Sequence, residues 1–261
     1  MSNALIGYTG FVGSTLLKQA SFEGLYRSTN IHEIDNQVFD TVVCAGAPAQ
    51  KWIANKEPEA DLRKIEGLIE HLKTIQCKTF VLISTVDVFK SPIDVDENTP
   101  IDEEDLHPYG LHRRLLEKFV ASHFNNYLIV RLPGLVGPGL RKNVIFDFLN
   151  DNNLDMIESR GVFQFYPMVN LWSDIQTALA SKIKLVHLTA EPISVADLAL
   201  KGFGIDFTHT LSNPPARYDF KTCYAEVFGK SGSYQYSQAE TLLAIRAYAQ
   251  SEAKTLKDSE A

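Results

Sequence analysis

Three glycines, Gly7, Gly10 and Gly13, stand three residues apart directly after the apolar run Ala4-Leu5-Ile6. In such a place one glycine makes a tight turn, another lets backbone N–H groups approach a diphosphate, and the third lets a helix lie close to its strand. The next residues, Phe11 to Ala20, have helical periodicity, with Phe11, Val12, Leu16 and Leu17 facing a sheet. A diphosphate would then rest on the positive end of that helix. This strand–loop–helix context is the one a dinucleotide motif requires, so residues 7–13 are expected to hold NAD(P). Thr9, Phe11 and Val12 join the three glycines as candidate contacts, as do Ala45 and Gly46 behind the next apolar run.

The form of the cofactor depends on the residues at the end of the second strand. A carboxylate roughly 20 residues beyond the loop would hold the 2′-hydroxyl of NAD. The segment Gly24-Leu-Tyr-Arg27-Ser28-Thr-Asn30 offers a guanidinium and hydroxyls but no carboxylate. A guanidinium suits a 2′-phosphate through paired, charge-assisted hydrogen bonds. Arg27 and Ser28 therefore favour NADP over NAD.

The elements that must position this loop alternate in type. Strands are expected at residues 4–6, 24–28, 41–45, 79–84 and 127–132, with helices at 11–20, 57–75 and 108–123 between them. Alternating strands and helices predict βαβ units and a parallel sheet with right-handed crossovers. A polar, acidic loop spans roughly 90–107. Beyond residue 135 the pattern loosens, with a helix expected over 144–150, short strands near 162–167 and 185–189, and a terminal helix over 238–253 that ends in a polar tail. The expected fold is α/β, a Rossmann-like doubly wound parallel sheet with a small C-terminal substrate lobe. Residues 1–135 form the dinucleotide-binding core, and residues 136–261 form a reduced lobe with returning core elements.

The three-by-three glycine spacing differs from the G-x-G-x-x-G of ordinary Rossmann dehydrogenases. Preceded by an apolar strand, it resembles the extended short-chain dehydrogenase/reductase family, whose members include sugar-nucleotide epimerases, dehydratases and reductases. Two further segments carry the resemblance. Ile83-Ser-Thr85-Val-Asp87-Val-Phe89 is similar to the family's strand end, and Tyr109-Gly-Leu-His-Arg113-Arg-Leu-Leu-Glu117 to its Tyr-x-x-x-Lys helix. By that match Thr85 holds the substrate oxygen, Tyr109 exchanges its proton, and Arg113 supplies the cation. A phenol with an ordinary pKa near 10 is a poor base at neutral pH. A cation one helical turn away is expected to lower it.

The chain departs from the family at two of these positions. Arg113 stands where the family has a lysine that also bonds the nicotinamide ribose, and a planar guanidinium cannot repeat that geometry directly. Arg114, at i+5, points elsewhere on the helix. Val86 and Asp87 stand where the dehydratases have Asp-Glu, which removes the proton donor that 4,6-dehydration needs; Asp87 is left as a candidate substrate contact. A third match begins at Val130 and runs through Pro133 to Asn143, where the family's nicotinamide neighbourhood lies. It makes Pro133 a candidate cofactor contact and Arg141 a candidate diphosphate contact. Near residue 170 the chain resembles the family's segment that returns to the core; Trp172 there is read as core, and Ser194 as a helix N-cap.

Composition excludes several classes. The 261 residues carry a net charge of −7, against the basic footprint of a nucleic-acid binder. Cys44, Cys77 and Cys223 form no C-x-x-C pair and the seven histidines no H-x-x-x-H pair, so no disulfide framework or metal site is expected. No apolar run approaches the roughly 18 residues of a membrane span, and no basic leader precedes the first strand, so a cytoplasmic protein is expected. The expected activity is that of an NAD(P)-dependent oxidoreductase or epimerase on a sugar or nucleotide-sugar. The alternative is a redox-silent dinucleotide-binding sensor or interaction protein on the same fold. By analogy with the family a homodimer is expected.

Overall fold

The aliphatic and β-branched runs become strands. The first half of the chain runs β1 (Asn3–Ile6), α1 (Phe11–Gln19), β2 (Gly24–Tyr26), β3 (Val38–Cys44), α2 (Lys51–Lys56), α3 (Pro58–Leu72), β4 (Gln76–Thr85), β5 (Ile93–Val95), α4 (Pro108–His123) and β6 (Tyr127–Leu132). The second half runs β7 (Gly134–Val136), α5 (Val144–Asn150), β8 (Val162–Phe163), β9 (Phe165–Pro167), α6 (Leu171–Ala180), β10 (Leu185–His187), β11 (Ile193–Ser194), α7 (Val195–Leu198), β12 (Asp219–Phe220) and α8 (Gln238–Ser251). This computed structural model describes residues 2–255.

Six strands form the main sheet in the order β10-β6-β4-β3-β1-β2, every neighbour parallel. Both faces are covered, which is why its central strands read as near-continuous apolar runs. On one face α3 and α4 bury Ile65, Leu68, Ile69, Leu72, Leu116 and Val120. On the other, α1 and α6 bury Leu16, Leu171, Ile175 and Ala178. Each such side chain contributes about 1.5–3 kcal/mol. The sheet grows outward from β1 to β2 and then turns back through β3. The crevice at that reversal, beyond the carboxyl ends of β1 and β3, is where ligands of such sheets bind.

Outside the main sheet lie three small pairings, β7 with β9, β8 with β11, and β5 with β12, and beside them a separate apolar cluster. That cluster gathers Ile145, Phe148, Val195, Leu198, Ile245 and Tyr248. Ser194 caps α7, its side chain accepting from the Asp197 N–H, and Trp172 packs edge-on against Phe22. Several boundaries differ from the sequence expectation. The second strand stops at Tyr26, because the chain turns at once through the Asn30 side chain, which accepts from the Arg27 N–H at 2.8 Å. The acidic loop contains β5, whose partner β12 lies more than 120 residues away, a pairing no local pattern announces. The short helix α2 and the helical character of 171–180 are also additions. The end of the polar tail, residues 256–261, lies outside the described residues. Among the described residues no helix is long and apolar enough to cross a membrane.

Candidate functional site

The glycine loop is built as a cradle. Gly7 adopts φ +84°, which only glycine takes without strain, and its N–H donates to the Tyr26 carbonyl at 2.7 Å. A Cβ at Gly7 would overlap the Ala45 backbone, and one at Gly13 would overlap the Gly7 carbonyl. A Cβ at Gly10, by contrast, would meet nothing nearer than the Gly7 oxygen at 3.5 Å. Packing therefore demands glycine at 7 and 13, whereas position 10 borders open space. Gly10 is the N-cap of α1; no side chain caps it, and the first turn holds no carboxylate. An uncapped helix start beside an open glycine fits a diphosphate. Thr9 and Gly10 are exposed, and Phe11, Val12, Ala45 and Gly46 are half-buried around them. The Ala45 N–H bonds the Ile6 carbonyl at 2.9 Å, which sets the ends of β1 and β3 side by side. Arg27 and Ser28 are exposed at the end of β2, with Arg27 Nε donating to Thr29 Oγ1 at 2.9 Å.

This division of labour has a measurable outcome. Gly13→Ala should lower unfolding free energy by about 1–3 kcal/mol through overpacking. Gly10→Ala should melt within about 0.5 kcal/mol of the parent yet bind dinucleotide far more weakly in calorimetric titration. Undiminished binding by Gly10→Ala would remove the loop from the cofactor site.

The second cluster forms where β4 ends. Thr85 Oγ1 accepts from the Asp87 N–H at 3.1 Å, capping the turn Val86–Val88. His107 caps α4, its Nδ1 accepting from the Gly110 N–H at 3.0 Å, and Pro108 opens the first turn. A Cβ at Gly110 would overlap the Asp87 carbonyl, so this glycine lets α4 press against the turn. The contact delivers Tyr109, 8% exposed, to Thr85. Burial pushes the Tyr109 phenol up; the Arg113 charge and the Thr85 hydroxyl oppose that, while Asp87 and Asp61 add to it, and the balance stays above the ordinary value.

The Arg113 charge does act to bring the phenol down, as its spacing leads one to expect, but burial outweighs it. The Arg113 guanidinium lies over the Tyr109 ring, 4.0 Å from the centroid. The guanidinium is also paired with Asp61, whose two oxygens accept from Nη1 and Nη2, the second at 2.9 Å. Nη1 also reaches the Tyr109 carbonyl at 3.3 Å, and Nη2 the Pro48 carbonyl. Only Nε, buried and without a protein partner, is left for another acceptor. Burial works to raise the Asp61 carboxyl, but hydrogen bonds from Arg113 and His112 outweigh it and hold it below the usual carboxylate range. Arg114 turns away to Glu103 and Glu117.

Asp87 is a junction rather than a loop carboxylate. It pairs with Lys51 Nζ at 2.7 Å, accepts from the Tyr218 hydroxyl at 3.3 Å and meets Thr85 Oγ1 at 3.4 Å. Lys142 reaches across to the Ala49 carbonyl. Burial lowers its ammonium and Asp87 partly restores it. Arg141, expected to meet a diphosphate, is exposed and makes no ion pair among the described residues. Pro133 is buried between β6 and β7. Among the described residues no group of three or more His, Cys, Asp or Glu is placed to hold a metal ion.

Asp61, Lys51, Lys142 and Tyr218 were not anticipated from sequence. One signal was present: Asp61 stands in register with Ile65, Leu68 and Leu72, a carboxylate on the apolar stripe of its helix. Behind the site, Glu117 is fully buried. It accepts from Ser84 Oγ at 2.6 Å, from Arg131 Nε at 2.9 Å and Nη2 at 2.7 Å, and from Arg114 at 3.0 Å.

Solved structures share this architecture at low identity. A dTDP-4-dehydrorhamnose reductase from Clostridium acetobutylicum superposes with a TM-score of 0.71 at 17% identity, over 96% of this chain and 99% of its own. The corresponding reductase from Bacillus anthracis, solved in complex with NADP, gives 0.70 at 15% identity over 95% and 98%. A UDP-glucose 4-epimerase from Thermotoga maritima, solved with UDP-glucose, gives 0.67 at 15% identity over 96% and 98%. No curated protein matches the chain in sequence. The sequence profile of one family matches residues 4–160, a stretch that takes in the glycine loop, Thr85, Tyr109 and Arg113. With more than half its length matched, the chain belongs to the NAD dependent epimerase/dehydratase family.

Proposed function

We propose that this protein is a cytoplasmic NADP-dependent oxidoreductase or epimerase of a sugar carried on a nucleotide, and that it works chiefly as a reductase of a keto-sugar. The observation that carries this reading is Tyr109, a buried phenol set against Thr85 at the mouth of the crevice. Support comes from the family and from the reductases and epimerases that share the fold. NADP is favoured because Arg27 stands exposed where NAD would need a carboxylate, and because one similar reductase was solved with NADP.

The residues of the cradle, Gly7 to Gly13 with Ala45, Gly46 and Pro133, would hold the cofactor, and Arg27 with Ser28 its 2′-phosphate. When bound, the nicotinamide supplies hydride chemistry. Thr85 orients the substrate oxygen, and Tyr109 passes that oxygen a proton. Asp87, joined to Lys51, offers a carboxylate to sugar hydroxyls. Leu111 and Leu115, partly exposed on α4, mark the face on which a homodimer would form.

The test is turnover of nucleotide-linked keto-sugars, followed by loss of NADPH absorbance and by product analysis. The reading expects NADPH-dependent reduction of at least one, with NADPH preferred over NADH and the preference lost in Arg27→Ala. Tight NADPH binding without turnover across the panel would favour the redox-silent alternative. Absence of binding would overturn both.

A further inference from the structure

Four of the charged groups around Tyr109 form two ion pairs. From α4 itself come Arg113 and His112; from α3, Asp61; from α2, Lys51; from the turn after β4, Asp87; and from the N-cap, His107. Lys142 and Tyr218 approach from the lobe, the first bonded to the Ala49 carbonyl and the second to Asp87. Lys51 is answered by Asp87, and Arg113 by Asp61. The second pair is the more buried, 3% and 5% exposed, and is held at both ends: Asp61 also accepts from His112 Nδ1 at 2.7 Å, and Arg113 also donates to the Pro48 carbonyl.

A helical Arg stacked on a tyrosine ring would, left alone, favour the phenolate and a base. Asp61, paired with that guanidinium, opposes the bias, and burial of the phenol outweighs it. We infer that Asp61 is a positioning residue that neutralises Arg113, so that Tyr109 meets the substrate beside a neutral ion pair and acts as a proton donor. The balance is complete: the carbonyl carbon gains hydride from a dihydronicotinamide, the carbonyl oxygen takes the Tyr109 proton, and a proton taken up from solvent restores the phenol. The reverse reaction, alcohol oxidation, passes through the same proton transfer and starts from the phenolate. The inference rests on the reading of Tyr109 given under Proposed function and adds to it the residue that offsets the Arg113 charge beside the phenol.

The test needs neither cofactor nor substrate. Phenolate formation is followed by near-ultraviolet absorbance over alkaline pH, with Tyr109→Phe as the blank that isolates the Tyr109 transition. In the parent protein that transition should lie above the free-phenol value of about 10. Asp61→Asn should lower it by about 1 to 3 units, as an unmatched guanidinium at this range does. Arg113→Met should raise it, and the Asp61→Asn/Arg113→Met double variant should fall between the two single ones. An unmoved transition in folded Asp61→Asn overturns the inference, as does movement of all three variants in one direction, which a mere packing role would give. If Asp61→Asn does not fold, the Arg113→Met and double variants decide alone: the double variant must titrate below Arg113→Met. Failure of keto-sugar turnover would strike the functional reading and leave this titration standing.

Discussion

Tyr109→Phe should lower kcat/KM for keto-sugar reduction by about 100- to 10,000-fold, the span over which a positioned acid acts. The variant keeps the ring beneath the Arg113 guanidinium and leaves the N–H bond from Tyr109 to Asn55 Oδ1 in place. Melting temperature and cofactor affinity should therefore match the parent. The loss should appear in kcat, because the proton is needed in the transition state and contributes little to ground-state binding. A variant that keeps more than about a tenth of the parent kcat would show that another group protonates the substrate.

The largest stability effect is expected from the network behind the site. Glu117→Ala leaves the Arg131 guanidinium, 2% exposed, without its carboxylate, and should cost about 3–5 kcal/mol in urea unfolding. Glu117→Gln keeps one acceptor and should lose less. The same network fixes His187. Its Nε2 faces an Arg131 N–H at 3.2 Å and must accept, while its Nδ1 faces the Lys221 carbonyl at 2.9 Å and must donate. The ring is thus the neutral Nδ1–H tautomer, and burial together with Arg131 pushes it down to about 3. The unfolded chain takes up that proton near pH 6.5. Between the two values the unfolded state binds more protons, so this group makes stability fall as pH drops from about 6.5 toward 3, by at most about 1.4 kcal/mol per unit. Imidazole NMR signals showing a charged His187 in folded protein near pH 5 would refute the assignment.

Local chemistry explains which parts were readable in advance. The glycine loop, β6, α4 and α5 announced themselves through spacing, capping residues and apolar runs, each a property of a few neighbouring residues. Thr85 and Tyr109 could be named because a strand end and a helix start each carry a local signature. Their meeting depends on Gly110 against the Asp87 carbonyl, a contact between elements that neither segment declares. Arg113 was visible as a cation, but its electrostatic effect depended on Asp61, 52 residues earlier, and on the Pro48 carbonyl. Lys51 and Lys142 escaped for the same reason: a lysine on a short helix or loop looks solvated until the fold brings a partner to it.

The chain emerges from a ribosome at about 5–20 residues per second, amino end first. The edge strand of its main sheet, Leu185–His187, pairs with β6 and appears some fifty residues after it. Glu97 then receives the N–H groups of His187 and Cys223 and the Thr222 hydroxyl, all from the last third of the chain. A nascent molecule that has already made its glycine loop and Tyr109 must therefore carry an open, apolar sheet edge until the segment through His187 has been made. Closing contacts over such separations is slow. In the interval between translating the site and sealing the sheet, that unpaired edge is open to pairing with another chain.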